Sequence, residues 1–472
     1  MDNLVDILYV VAFAMFIYGL MGLTGPRTAV RGNQIAAVGM AVAVIATLIS
    51  VRHAGGSDWI VIVAGLIVGV ALGIPPARFT KMTAMPQLVA AFNGVGGGTV
   101  ALISLSEFLD THSFSRIPEQ PNVHIVVGSL FAAIIGSVSF WGSLVAFGKL
   151  QEILPGRPIG VGKLQQPLNI ALLVIAVAAA VVIGIGATKN GVPPWWMVLL
   201  LVAAAALGLM VVLPIGGADM PVVISLLNAL TGLSAAAAGL ALNNTAMIVA
   251  GMIVGASGSI LTNLMAKAMN RSIPAIVAGG FGGGGTAPSA GGGEQKQAKA
   301  TSAADAAIQM AYANQVIVVP GYGMAVAQAQ HAVKEMASLL EAKGVEVKYA
   351  IHPVAGRMPG HMNVLLAEAE VSYDALKEMD DINGEFGRTD VALVIGANDV
   401  TNPAAREDAS SPIYGMPVLN VDQAHSVIVL KRSMNSGFAG IDNPLFYADH
   451  TSMLFGDAKK SVSAVTEELK AL

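Results

Sequence analysis

The sequence predicts a polytopic α-helical membrane domain of about nine spans, followed by a soluble α/β domain built on a parallel sheet. Three observations predict it. The 472 residues are 54% hydrophobic and only 12% charged, about half the charge share of a soluble globular chain. The first ~270 residues hold one apolar run after another, each long enough to cross a bilayer. Beyond them, Val- and Ile-rich runs alternate with helix-like patterns, the order that builds a parallel sheet with crossovers.

Nine runs of ~18 or more mainly apolar residues are present, at about 4–23, 33–51, 58–75, 86–109, 122–148, 168–187, 193–213, 219–241 and 245–267. The N-terminus carries Asp2 and Asp6 and no basic leader, so it reads as an uncleaved first span. An odd number of spans puts the two ends on opposite sides. One set of connections carries nine basic residues (Arg27, Arg31, Arg78, Lys81, Lys149, Arg157, Lys163, Lys267 and Arg271), and the other set three, Arg52, Arg116 and Lys189. The positive-inside rule then places the N-terminus outside and everything after about residue 268 in the cytoplasm. The membrane domain covers 1–272. A Gly/Ala-rich tether, 273–305, follows it, including "GGFGGGGTAPSAGGG".

The cytoplasmic domain is expected over 306–472. Strands are predicted at 315–319, 345–351, 391–399 and within 425–433, with helices over 324–343, most of 361–386 and from about Asp457 to the end. Residues 1–304 carry 14 Lys+Arg against 9 Asp+Glu, whereas 305–472 carry 12 against 21. So acidic a domain argues against nucleic acid as a partner. The chain has no cysteine, which excludes disulfides, thiolate metal sites and a thiol nucleophile.

"VIVVPGYGMAVAQAQ" (316–330) runs from strand through a Gly-containing turn into a helical pattern, the form of a dinucleotide-binding turn in a Rossmann-like domain. Gly321 allows the tight turn and Gly323 a close approach of backbone to a pyrophosphate. The third small-residue position holds Val326, and an ordinary strand-to-helix turn would look similar. The second strand ends "YAIHPVAGRMPGHMN", without the acid that an NAD ribose usually meets. "KRSMNSG" puts Lys431, Arg432 and Ser433 just past a strand. Two cations and a hydroxyl there suit a 2′-phosphate, as they would suit a solvated loop. Asp399 lies past another strand, where ligands collect in open α/β sheets and where turn aspartates are also common. No second nucleotide fingerprint exists in the chain, so a redox partner for a bound nicotinamide would come from elsewhere.

In the membrane domain no ionisable residue stands clearly at mid-depth. Glu107, Asp110, His53, His112 and His124 fall at outer ends or loops, and Asp219 at an inner end. What remains is polar and uncharged: Asn93, Ser139, Ser143 and Asn228. These fit a hydrated pathway, and equally the interhelical hydrogen bonds found beside small-residue contacts such as Gly94/Gly98 and Gly251/Gly255.

The stretches "GGADMPVVISLLN", "KAMNRS", "PGYGMAVAQAQ", "IHPVAGRMPGHMNVLLAEAEVSYD", "IGANDVTNP", "KRSMNSGFAGIDNPLF" and "MLFGDAKKSV" resemble, in order and over nearly the whole chain, the β subunit of proton-translocating NAD(P) transhydrogenase. The resemblance implies NADP(H) on the C-terminal domain and NAD(H) on a separate α subunit that adds further membrane spans. Hydride would pass between the two nicotinamides, coupled to proton movement, in a dimer of the assembled complex in a bacterial cytoplasmic membrane. Gly321, Tyr322, Gly323, Met324, Ala325 and Val326 match the family's pyrophosphate turn, and Arg357 another phosphate-side contact. Lys431, Arg432 and Ser433 match its 2′-phosphate site on a loop that closes over the cofactor. Asp399 matches an acid on the nicotinamide side that is implicated in coupling. Ser143 and Asn228 match polar path residues. Asn93 stands where well-known members carry a mid-membrane histidine; members with asparagine there place the histidine on another segment, including the partner's. A channel or transporter with a nucleotide-sensing tail, and a structural anchor for the α subunit, are the other readings of the same architecture.

Overall fold

Long apolar segments become helices because hydrocarbon offers backbone N–H and C=O groups no partner outside the segment itself. The structure, a computed structural model, describes residues 2–81, 84–115, 123–155, 158–189, 191–216, 219–270, 272–277, 298–356, 360–411, 413–437 and 439–472. The chain divides into two compact units: residues 1–262 with 277–282, and residues 263–276 with 283–472. Among the described residues, nine helices are long and apolar enough to cross a membrane. They are α1 (Asp2–Gly22), α2 (Pro26–Ser50), α3 (Gly56–Phe79), α4 (Met85–Asp110), α5 (Val123–Leu150), α6 (Gln165–Ala187), α7 (Trp195–Val212), α8 (Met220–Ala241) and α9 (Thr245–Ala268). Each coincides with one expected span. α2 begins several residues earlier than expected because Pro26 sits in its first turn, where a missing N–H costs nothing. α3 runs on through Pro75 and Pro76 to Phe79.

α5 packs against α4, α7 and α8. Its inner surface is mostly small: Gly128, Ser129, Ala132, Gly136, Ser139, Gly142 and Ser143 are all buried. A Cβ on Gly136 would lie 2.6 Å from the Gly97 carbonyl oxygen of α4, so the two backbones touch there. α8 and α9 approach the same way, with Gly251 against Gly232 and Ala236. Burying apolar side chains gains little when lipid is equally apolar, so close backbone contact of this kind carries helix association. No residue of α3 is buried, and its apolar surface suits lipid.

The second unit contains α10 (Ile273–Val277), α11 (Ala303–Ala311), β1 (Gln315–Pro320), α12 (Tyr322–Val326), α13 (Gln330–Ala342), β2 (Glu346–Ile351), α14 (His361–Glu368), β3 (Leu376–Glu378), α15 (Met379–Ile382), β4 (Val391–Ile395), α16 (Ala404–Glu407), β5 (Ser426–Lys431), β6 (Thr451–Phe455) and α17 (Ala458–Ala471). The six strands are all parallel, in the order β3-β2-β1-β4-β5-β6. β1 and β4 are buried throughout, as central strands covered on both faces must be. One core gathers Ile317, Val319, Ala392, Val394, Val427 and Val429 from the strands with Phe386, Leu419 and Phe446. α13 and α17 pack together, as do α11 and α17.

The structure departs from the sequence reading in four places. β3, three residues at one edge, lies inside a stretch expected to be helical; helix there stops at Glu368 and resumes at Met379, after the strand. β6, at the other edge, is too short to stand out beside the polar "YADH" before it. The expected helix 324–343 is broken in two, with Gln328 in the left-handed region at φ 50° between α12 and α13. The chain also joins the sheet earlier than composition marks it. Thr301 N–H donates to the Met453 carbonyl at 2.9 Å, and Met453 N–H to that of Lys299 at 2.7 Å. Ser302 then caps α11 by accepting from the Asp305 N–H.

Candidate functional site

In this strand order the chain crosses from β1 to β2 on one side and from β4 to β5 on the other. A crevice is left outside the C-terminal ends of β1 and β4. Three segments meet at that end of the sheet: residues 321–326 after β1, 396–399 after β4, and 431–433 at the end of β5. The first two interlock. Gly321 N–H donates to the Ile395 carbonyl at 2.9 Å and Gly323 N–H to that of Gly396 at 3.0 Å. Gly396 is left-handed, at φ 64°. A Cβ on Gly321 would fall onto the backbone of Gly396 and Ala397. The glycines of this turn therefore have a first duty inside the protein, holding two strand ends together. Tyr322 is half-buried, Met324 and Ala325 are buried, and Val326 is 49% exposed. Arg357 lies outside the described residues.

The segment after β5 is tied to the end of β4 at alternate residues. Lys431 Nζ donates to the Asn435 carbonyl at 2.5 Å and stands 4.7 Å from the centre of the Phe446 ring. With the Asn398 amide turned so that its oxygen meets the donors around it, that oxygen accepts from Lys431 Nζ at 3.2 Å and from Gly437 N–H at 2.7 Å. Asp399 Oδ2 accepts from Ala439 N–H at 3.0 Å. Burial lowers the pKa of Lys431, against the opposing fields of Asp399 and Asp442. Arg432 and Ser433 are exposed, and their side chains form no hydrogen bond or ion pair among the described residues. Asn443 Nδ2 supports the same corner, donating to the Asn398 carbonyl at 3.0 Å. Asn398, Asn443 and Phe446 were not singled out from sequence. Their signal is the polar "GAND" and "DNP" punctuation after a strand, which only the folded contacts separate from ordinary turn residues.

At the end of β2, where an acid would meet an NAD ribose, stands the buried His352. Its Nδ1 accepts from Val354 N–H at 3.2 Å, so Nε2 carries the proton that bonds the Pro417 carbonyl at 2.9 Å. Burial lowers its pKa to about 4, the Pro417 bond opposing. At neutral pH this position is uncharged.

In the helical unit, Asn93 of α4 donates from Nδ2 to Ser143 Oγ of α5 at 2.9 Å, with Asn93 8% and Ser143 1% exposed. The amide oxygen of Asn93 is buried and finds no hydrogen-bond partner among the described residues. Asn228 is half-buried on α8, and no hydrogen bond joins it to either residue among those described. Ser139 reaches α8 one residue away, at the Leu227 carbonyl, 3.5 Å. Thus two of the three expected path residues touch each other.

Residues 5–468 match the model of the NAD(P) transhydrogenase beta subunit family. The chain belongs to that family. The NAD(P) transhydrogenase subunit beta of Rhodospirillum rubrum is 48% identical to it over 466 residues, 98% of each chain. The sequence from a named strain of that species matches to the same extent. Membership makes the chain a multi-pass membrane subunit of a transhydrogenase, a partner of an α subunit and a binder of nicotinamide nucleotide. The α/β unit suits such a ligand chemically. It presents a strand-end crevice, and beside it a guanidinium and a hydroxyl that no group among the described residues engages.

Proposed function

We propose that the α/β unit binds NADP(H) across the C-terminal ends of β1, β4 and β5, while NAD(H) is held by the α subunit. The nine spans, completed by further spans of that subunit, couple hydride exchange between the two nucleotides to proton movement. NADP(H), when bound, supplies the hydride chemistry, so the chain needs to bind, orient and exclude water rather than to provide a general acid or base. The observation that carries the NADP(H) assignment is electrostatic. Arg432 and Ser433 stand exposed at the end of β5, unengaged among the described residues, and the end of β2 holds the uncharged His352 where an NAD site usually holds an acid. Gly321 to Val326 provide the turn over which the pyrophosphate would lie, and Arg357 adds a cation. Asp399, tied through Ala439 to the segment after β5, is assigned to the nicotinamide side.

Asn93, Ser143 and Asn228 are assigned to the proton path. Neither amide nor hydroxyl titrates in the working range, so Asn93 needs water or a partner donor at its buried oxygen. The bias of basic residues puts the α/β unit in the cytoplasm and the N-terminus outside a bacterial inner membrane. The assembled complex is read as a dimer, on the family resemblance. The purified full-length chain is expected to bind NADP+ at least tenfold more tightly than NAD+, as a charge-assisted phosphate contact of about 1.5–3 kcal/mol requires. Equal affinities in equilibrium dialysis would refute the assignment.

A further inference from the structure

The Asn93 amide oxygen, buried and without a partner among the described residues, shares a helix face with a carboxylate. Glu107 follows Asn93 on α4 by fourteen residues, which is ~21 Å along the axis and within about 40° of the same direction. Between them Gly97, Val100 and Ser104 keep that face buried. Glu107 lies ~14 Å from the middle of α4, about where the hydrocarbon ends. An ionisable group inside a span is costly, and such groups mark ion and proton routes.

Glu107 is half-buried, and its carboxylate forms no hydrogen bond or ion pair among the described residues. Asp110 differs: it is exposed and accepts from Ser106 Oγ at 3.3 Å. The other charged or titratable side chains described at this end are His112 after α4, His124 on α5 and Lys189 after α6, all exposed. The charge that acts on Glu107 is that of Asp110.

Hydroxyls line the way inward on the three helices that pack together, α4, α5 and α8. Ser104 of α4 and Ser129 of α5 come first, each 1% exposed. Next is a thin apolar collar of Val100, Ala132 and Ala238. Beyond it stand Ser234 of α8 and Ser139 of α5, both fully buried, and then the Asn93–Ser143 pair. Ser104 and Ser234 donate to carbonyls of their own helices, Val100 and Thr231. Their oxygens are left to accept from water.

We infer that Glu107 is the proton-collecting group at the outer mouth of the path. Its carboxylate takes a proton from the outer solution, and the resulting acid releases it to water held by the Ser104 and Ser129 hydroxyls, outside the collar. The inference rests on the proposed proton path and on the proposed orientation of the chain.

The test uses the assembled α–β complex in vesicles whose nucleotide sites face the bath, so that the outer end of α4 faces the lumen. Proton translocation and hydride transfer are measured while lumenal pH is varied and bath pH is fixed. Glu107→Gln is expected to slow both about tenfold, the lower range for losing a proton-transfer group, and to flatten the dependence on lumenal pH. NADP+ affinity should stay within about twofold. Glu107→Asp should keep the pH dependence, and Asp110→Asn should leave rate and profile within about twofold. Glu107→His should move the midpoint upward by about one to two pH units, since imidazole titrates above a carboxyl; it also decides the matter if Glu107→Gln does not assemble. A Glu107→Gln complex with the unaltered rate and profile, an unmoved midpoint in Glu107→His, or an equal loss in Asp110→Asn overturns the inference. If the unaltered complex moves no protons, the proton-path assignment itself fails and the role of Glu107 falls with it.

Discussion

The amide of Asn93 is half satisfied. Its nitrogen donates to Ser143, while its oxygen is buried without a partner among the described residues, and in a low-dielectric interior such an acceptor draws in water or a donor from another chain. Ser143→Ala removes the bond that the amide nitrogen makes, at a cost of about 1 kcal/mol. It is expected to slow proton uptake by reconstituted vesicles severalfold while NADP+ affinity stays within about twofold; unchanged proton uptake would take the pair off the path. His352 carries a second residue-scale expectation. Its folded pKa of about 4 lies below the ~6.5 of an unfolded histidine. Between those values the unfolded chain binds more protons, so stability is complete above about pH 6.5 and declines as pH falls towards 4, by about 3 kcal/mol in all. The urea midpoint of the α/β unit should fall over that window, and His352→Gln should flatten the decline.

At the scale of elements, the turns after β1 and β4 act as one piece because Gly321, Gly323 and Gly396 let their backbones touch. Gly321→Ala forces a methyl group into that contact and is expected to destabilise the unit by about 1–3 kcal/mol. Exchange should rise at the ends of both β1 and β4, not β1 alone; a change confined to β1 would show that the turns are independent. The expected dinucleotide turn was legible as strand, glycine and helix start. Its partner was not, since nothing in "VIGAND" says which other strand end it will meet. The break at Gln328 was equally hidden, because a helical pattern continues through it and only the left-handed backbone at one residue interrupts it. Edge strands β3 and β6 were missed for a related reason: three and five residues are held by pairing with β2 and β5 rather than by their own composition.

At the scale of the molecule, one membrane unit and one nucleotide fold are half of a transhydrogenase. The chain has no second dinucleotide fingerprint, and hydride transfer requires two nucleotides with their reacting carbons about 3–3.5 Å apart. The purified chain alone is therefore expected to show no measurable transfer from NADPH to an NAD+ analogue, and addition of the α subunit to restore it. Robust turnover without the partner would refute the division of nucleotides between subunits.

The sequence by itself determined the nine spans, the acidic α/β domain and the residues that crowd its strand ends. Each of these follows from a local property: apolar length against a bilayer's thickness, alternation of strand and helix, glycine and charge after a strand. Tertiary structure decided what depends on a distant partner. It set the order β3-β2-β1-β4-β5-β6, paired Asn93 with Ser143 fifty residues away, and gave Lys431 and Arg432 different surroundings. The two cations are alike in sequence because charge is a property of one residue. They differ in the fold because Asn398, Asn435 and Phe446 converge on only one of them.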